Sequence, residues 1–287
     1  MVNTAVSRSD FDSYCIQTPN DARLGSVSGQ QVCGLYDVKA SAFGRPVSDV
    51  RMRITDIDGA NGNPVEAFNG VDFGLDFRMG NGGLIAGGLT VGRTVVDQCW
   101  QNDLPNVAQI GTSKPSTSGG SSDLTPRSAG FCDVTPAWWN GVGSQAKIQF
   151  VFPLRYGFAV SGSYKNLPGV PVTALANSVL VPPTTLGRAL NGPVNYQLLP
   201  SPNAGSTALA SSAYDDRLNQ VDTRLARTFR VNSVKLQAIL ELYNVFNSRP
   251  SQGNNTTYTR PGTPQGWQTP GALLGGRLLK FGTQIDF

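Results

Sequence analysis

Oxygen ligands gather once in this chain. Asp56-Ile57-Asp58-Gly59-Ala60-Asn61-Gly62, followed by Glu66, clusters carboxylates and a carboxamide around a turn. Calcium asks for such oxygens at short spacing. The EF-hand pattern fails in two places: Asn61 stands where the invariant Gly is needed, and Ala67 where the bidentate Glu is needed. Asp56, Asp58 and Asn61 are therefore only a weak metal candidate, and a solvated Asp-Gly turn is the preferred reading. Gly80-Asn81-Gly82 begins a phosphate-loop pattern, but position 85 is Ile and no helix follows, so it reads as a hairpin turn. The chain contains no histidine. That excludes Ser-His-Asp and Cys-His mechanisms, His-ligated metals and imidazole acid-base chemistry. Asp72 and Asp76 share one strand face, but four residues of strand separate them by about 13 Å, too far for a carboxylate dyad. No catalytic residue and no cofactor are expected.

The four cysteines are Cys15, Cys33, Cys99 and Cys132. None forms a close CxxC pair, which disfavours a thiolate zinc site. Three disulfide connectivities are open. The local one, Cys15 with Cys33 and Cys99 with Cys132, closes two loops rich in Gly, Ser, Asn and Pro. Neither loop has an apolar pattern to hide a free thiol, so disulfides and an oxidising compartment are expected. The first residues, Met1-Val2-Asn3-Thr4, lack a basic region followed by an apolar one, which taken alone predicts a cytoplasmic chain. The rest of the sequence points elsewhere.

The elements that must carry these residues are strands. In 287 residues there are 33 Gly and 19 Pro, and only 15% are charged, a composition against helical bundles. The net charge is +4, with no run of basic residues, so no nucleic-acid partner is expected. No stretch reaches the length of an apolar membrane helix. Residues 1–67 read as polar and irregular. From there period-two alternation predicts seven strands. They cover 71–79, 84–96, 146–152, 158–164, 221–229, 234–242 and 279–287. Short turns follow the first, third and fifth strands, and long loops, about 99–144, 167–215 and 248–276, follow the others. All short turns therefore fall at one end of a sheet and all long loops at the other, the asymmetry of outer-membrane barrels. Asp49–Thr55 offers a competing eighth strand, which would allow a small closed barrel.

One face of the strands is apolar, with Phe73, Phe77, Phe150, Phe152, Leu236 and Leu240. The other carries Asp72, Asp76, Arg78, Lys147, Gln149, Asp222, Arg224, Lys235, Gln237, Glu241, Lys280, Gln284 and Asp286. A barrel would show the second set to a wet lumen and the first to lipid. A β-sandwich would show the polar set to water. Tyr156, Tyr164, Tyr243 and the pair Trp138-Trp139 lie near strand ends and are candidates for an aromatic girdle. Trp100 and Trp267 are loop candidates for stacking on a ligand ring.

The ordered segments bear a resemblance. Phe281-Gly-Thr283-Gln-Ile285-Asp-Phe287 resembles the C-terminal signal by which outer-membrane barrels are recognised for assembly. Leu242-Tyr243-Asn244-Val245-Phe246-Asn247 resembles the NVFN segment near the end of TonB-dependent receptors. Leu218–Leu225 and Asn69-Gly70-Val71-Asp72 resemble strand starts of the same family. The match is best to the Oar-like subgroup, built from a carboxypeptidase-regulatory-like domain, a plug and a barrel, and the cysteines resemble its loop cysteines. The resemblance implies an all-β chain, an antiparallel transmembrane β-barrel segment with long extracellular loops. It implies residues 1–67 as an extracellular loop region and 68–287 as C-terminal barrel strands. It implies location in the bacterial outer membrane, contact with outer-membrane lipid and the barrel-assembly machinery, and uptake of a large extracellular ligand with a plug domain and TonB. Without those energy-coupling parts the chain is expected not to transport. The alternatives are a self-contained small barrel, acting as passive pore or adhesin, and a secreted glycan-binding β-sandwich.

Overall fold

A computed structural model describes residues 2–107, 122–128, 130–134, 144–199 and 214–287. Its centre is an antiparallel meander of seven strands: β1 (Val65–Arg78), β2 (Leu84–Asp97), β3 (Gln145–Pro153), β4 (Phe158–Leu167), β5 (Leu218–Val231), β6 (Val234–Tyr243) and β7 (Leu278–Asp286). Each pairs with its neighbour in sequence, from β1 at one edge to β7 at the other. The alternating pattern thus locates all seven strands, and Asp133–Val134 adds a two-residue pairing against β2.

Turn chemistry sets the three short connections. Between β1 and β2, Gly82 adopts φ +85° while the Asn81 Oδ1 accepts the Gly83 N–H at 3.0 Å. Between β3 and β4, Tyr156 and Gly157 both take positive φ, and the Leu154 N–H donates to the Phe158 carbonyl at 2.7 Å. Between β5 and β6, Asn232 at φ +58° makes the tight reversal, as a short polar side chain tolerates. Close inter-strand approaches need glycine at Gly87 and Gly162, against the Lys147 and Asp222 carbonyls, and at the pair Gly70 and Gly92. Gly70 faces Gly92 across β1 and β2, and the Phe68 ring lies over both; a Cβ on Gly92 would stand 2.5 Å from it.

The packed interior lies elsewhere. The largest buried cluster joins Tyr14, Ile16 and Leu35 to Ala174, Tyr196 and Trp267, and none of its members belongs to the seven strands. The long connections and residues 2–64 therefore build a cap with its own core. Here the structure departs from the irregular reading. Phe11–Gln17 and Gln31–Val38 form a hairpin with a bulge, Leu175–Asn177 and Val194–Gln197 pair antiparallel, and Ser251–Asn254 pairs with Pro270–Leu273. Their apolar residues are sparse and their partners are far apart in sequence, so no local periodicity marks them. The boundary drawn at 67/68 falls inside β1. The competing eighth strand does not form in the sheet: only Asp49–Val50 is extended, and it pairs with Val2–Asn3.

Both disulfides are local, Cys15–Cys33 and Cys99–Cys132, and both staple the cap. Closing loops of 18 and 33 residues restricts the unfolded chain by about 3 kcal/mol each. A Cys15→Ser, Cys33→Ser double variant is expected to lose about that much cap stability. Limited proteolysis of the cap at rising urea reads this out: cleavage within residues 2–64 starts at lower urea than in the parent.

Candidate functional site: the polar face of the sheet

The registers settle which side chains share a face. Asp72 faces Thr90, Gln149 faces Ala86 and Ser163, Ser163 faces Asp222, and Arg224 faces Glu241, which faces Lys280. By the same counting Asp76, Arg78, Lys147, Lys235, Gln237 and Gln284 fall on this side. All twelve residues expected to line a lumen lie on one continuous polar face, and Asp286 joins them opposite Lys235.

The centre of this face is a hydrogen-bonded network. Lys280 Nζ lies 3.2 Å from Glu241 Oε2, and the Tyr243 hydroxyl donates to the same oxygen at 3.0 Å. Arg224 donates to Gln237 Oε1 at 3.1 Å, and Gln237 donates on to the Thr228 hydroxyl at 3.3 Å. Asp222 accepts from Gln220 Nε2 at 2.9 Å and from the Asn244 N–H at 2.8 Å. Gln149, Ser161, Ser163, Asp222, Arg224 and Glu241 line an open cleft of about 310 Å³. Towards the edges, Arg78 pairs with Asp76 at 3.4 Å and Gln284 donates to Asp286 at 3.1 Å. Opposite charges and amides meet across the central strands, while like charges face each other at Lys147–Lys165 and Arg230–Lys235. Such a surface suits water and polar solutes, not an apolar partner.

The other face is apolar throughout its middle: Phe73, Leu89, Ile148, Val160, Leu225, Leu236 and Phe281 share it by register. Phe73 is 61% and Phe281 75% exposed. Across all seven strands only Val91 and Ala226 are buried hydrophobics. Phe281, Thr283 and Ile285, expected as part of a C-terminal assembly signal, lie on this face, and Phe287 follows the end of β7. Charges on this face stand away from its middle: Arg93 and Asp97 lie on the cap half of β2, and Arg227 is set over the Phe158 and Phe229 rings at 4.8 and 4.6 Å close to the short-turn end.

The aromatic expectations divide. Tyr156 stands 85% exposed in the β3–β4 turn, and Tyr164 donates to Asn219 on the apolar face. Tyr243 points to the polar face instead, held by Glu241. Trp267 is not open to a ligand: it is 3% exposed, packed on Tyr258 and donating to the Thr173 carbonyl at 2.7 Å. Trp100 packs against the small cluster of Val2, Leu104 and Val107. Trp138 and Trp139 lie outside the described residues. Asp56 closes a short 3-10 turn, Ile54–Asp56, and lines a separate cleft with Asp58, but Asn61 does not join them there. Among the described residues no three His, Cys, Asp or Glu come together as a metal site.

Several ties were invisible in the sequence because their partners are remote. Arg188 reaches Asp12 at 2.9 Å and also Asp37, joining the N-terminal hairpin to the β4–β5 connection. Arg127, 6% exposed, donates to the backbone carbonyls of Gln101, at 2.8 Å, and Val107, and burial pulls its guanidinium down to about 10. Asp21 accepts from Arg23 and from the Tyr258 hydroxyl. The Arg23 hydrogen bond holds the Asp21 carboxyl below the usual carboxylate value. A carboxyl depressed by folding contributes stability above its unfolded pKa of about 3.9, and that contribution is lost as pH falls through the lower folded value. An Asp21→Asn cap is thus expected to be weaker than the parent at pH 7 and to converge with it at acid pH, read by urea titration of Trp267 fluorescence.

No family model, no curated protein and no solved structure matches this chain.

Proposed function

We propose that the chain forms the C-terminal part of the wall of a transmembrane β-barrel in the bacterial outer membrane, and that the intact receptor is of the TonB-dependent type. The observation that carries this reading is the division of the molecule. The packed core sits in the cap, while a seven-stranded meander leaves its apolar face uncovered except at Val91. In water that face would be a large aggregation-prone patch. Against hydrocarbon it is the required surface, and strands of 9 to 14 residues are long enough to cross when tilted. The polar face then lines the lumen and the cap stands outside the cell, where its disulfides persist. A sandwich would need a second sheet over the apolar residues, which their exposure argues against.

The functional consequence is ligand capture at the cap and passage along the polar face, energised in the intact receptor by a plug and TonB. The test is an immunoblot of outer membranes with an antibody to residues 277–287, with and without boiling. A band far above 30.4 kDa supports a piece of a full receptor. A heat-modifiable band near 30.4 kDa means a self-closing barrel, and recovery in the soluble fraction without detergent rules the membrane reading out.

A further inference from the structure

One row of the polar face lacks a counter-charge. Lys147 on β3 and Lys165 on β4 are direct partners across the ladder. Side chains so opposed have Cβ atoms about 5 Å apart, and like charges there destabilise a sheet. The row continues through Gly88 and Gly74 on one side and Gln220 on the other, so it holds no carboxylate. Lysine ion pairs among the described residues join Lys39 to Asp12 and Lys280 to Glu241. Lys147 and Lys165 have no ion pair or hydrogen bond there, and both side chains are exposed.

The other opposed like charges on this face, Arg230 and Lys235, are relieved within their own row, because Lys235 has Asp286 on its second side. Beside Lys165, the carboxylate of the adjoining row is Asp222, opposite Ser163. Asp222 is already engaged, accepting from Gln220 Nε2 and from the Asn244 N–H. The repulsion between Lys147 and Lys165 is therefore met by nothing in the chain.

The glycines leave room beside the pair. Gly88 and Gly74 put no side chain over the ladder next to Lys147, and a Cβ on Gly74 would meet nothing within 4 Å. Lys147 is the third residue of β3 and Lys165 the eighth of β4, so both stand near the cap end of the sheet. Two long ammonium side chains beside a bare stretch of ladder can donate together to one oxyanion. Charge-assisted hydrogen bonds of that kind are the strong ones, and a doubly charged group between the two heads replaces repulsion with attraction.

We infer that Lys147 and Lys165 form a binding site for a doubly charged oxyanion, of the kind a phosphate group presents, on the polar face just below the cap. The site itself stands on the register of β3 and β4. Its role, to receive the anionic group of a ligand handed on from the cap, rests on the membrane reading above and deepens it by naming the ligand chemistry.

Phosphorus NMR tests it. Inorganic phosphate and glycerol phosphate are each titrated into the full chain in detergent micelles, above the second ionisation of a phosphate ester at about pH 6. The expected result is saturable broadening with the parent. Lys147→Gln and Lys165→Gln each weaken binding about 5-fold, as removal of one exposed charge contact does, and Lys→Arg at either position retains it. Arg230→Gln takes the same charge from another row and leaves binding unchanged. Urea titration adds a readout that a structural lysine would move the other way. Without phosphate each Gln variant outlasts the parent, because the like-charge pair is gone, and phosphate raises the midpoint of the parent more than that of either variant. Tighter binding of glycerol phosphate supports a site for the phosphoryl group of a larger ligand, and equal binding supports one for free phosphate. The inference is overturned if the parent and both Gln variants bind alike or not at all, or if Arg230→Gln costs as much as Lys147→Gln. Recovery of the chain in the soluble fraction overturns the membrane reading instead and leaves this titration to be judged on its own.

Discussion

Leu225→Arg is expected, on the proposed membrane reading, to remove most of the folded chain from the outer membrane. Leu225 lies on β5 in the middle of the sheet, opposite Val160 on one side and Leu240 on the other, and is 39% exposed on the apolar face. An Arg facing hydrocarbon near the bilayer midplane costs about 2–4 kcal/mol, which lowers the equilibrium constant for the inserted, folded state about 30- to 900-fold. Arg227, two residues on, shows where the face accepts such a charge: near the short-turn end, over two rings, from which its head reaches the interface. The comparison variant is Ser163→Lys. Ser163 lies between Gln149 and Asp222 on the polar face, so its new ammonium meets water and a carboxylate. Quantitative blots of washed membranes should show Ser163→Lys near the parent level and Leu225→Arg strongly depleted. If the sheet stood in water, a half-exposed Leu changed to Arg would improve solubility and leave the amount unchanged. The two environments therefore predict opposite signs for one substitution.

That substitution could be chosen because the sheet was legible. A strand with one wet and one apolar face writes its environment at every second residue, as Val71-Asp72-Phe73-Gly74-Leu75-Asp76-Phe77 does. The hairpin turns add Gly82 and Asn232 at positive φ, so the seven strands and their shared polar face followed from short-range pattern. The cap was not legible. Tyr14 and Tyr196 meet edge-on with centroids 6.3 Å apart, yet 182 residues separate them, and each sits in a short segment with no period of its own. Trp267 stands as no more than a stacking candidate in the sequence for the same reason. A single aromatic in a polar loop gives no sign of burial until distant loops close over it. The disulfides bridged this gap in part, since both pair neighbours in sequence and mark the loops that pack.

The segment Asn244-Val245-Phe246-Asn247 carried a resemblance but no mechanism, and its geometry supplies one. Asn244 is 2% exposed and stands at φ +51° just past the end of β6. Its Nδ2 donates to the Ser248 and Gly275 carbonyls, each at 2.9 Å, and its Oδ1 accepts the Ser248 N–H at 2.9 Å. Its own N–H donates to Asp222 on β5. Asn247, also at positive φ, accepts the Arg277 N–H at 3.1 Å. The two asparagines thus tie the end of β6 to the returning chain just before β7, which fixes where the last strand starts and hence its nine-residue register. Asn244→Ala removes three side-chain hydrogen bonds, each worth about 1 kcal/mol, and adds about 1 kcal/mol for a Cβ residue in the left-handed region. Partial relaxation of the turn brings the expected loss to about 2–4 kcal/mol. Asn244→Gly loses the same bonds without the backbone penalty and should fall about 1 kcal/mol short of the Ala loss. Urea titrations in detergent micelles give the ordering: parent most stable, Gly variant next, Ala variant last. An Ala variant equal to the parent would mean that β7 holds its register through the β6 ladder alone. The asparagines would then be turn residues with no part in placing the C-terminal strand.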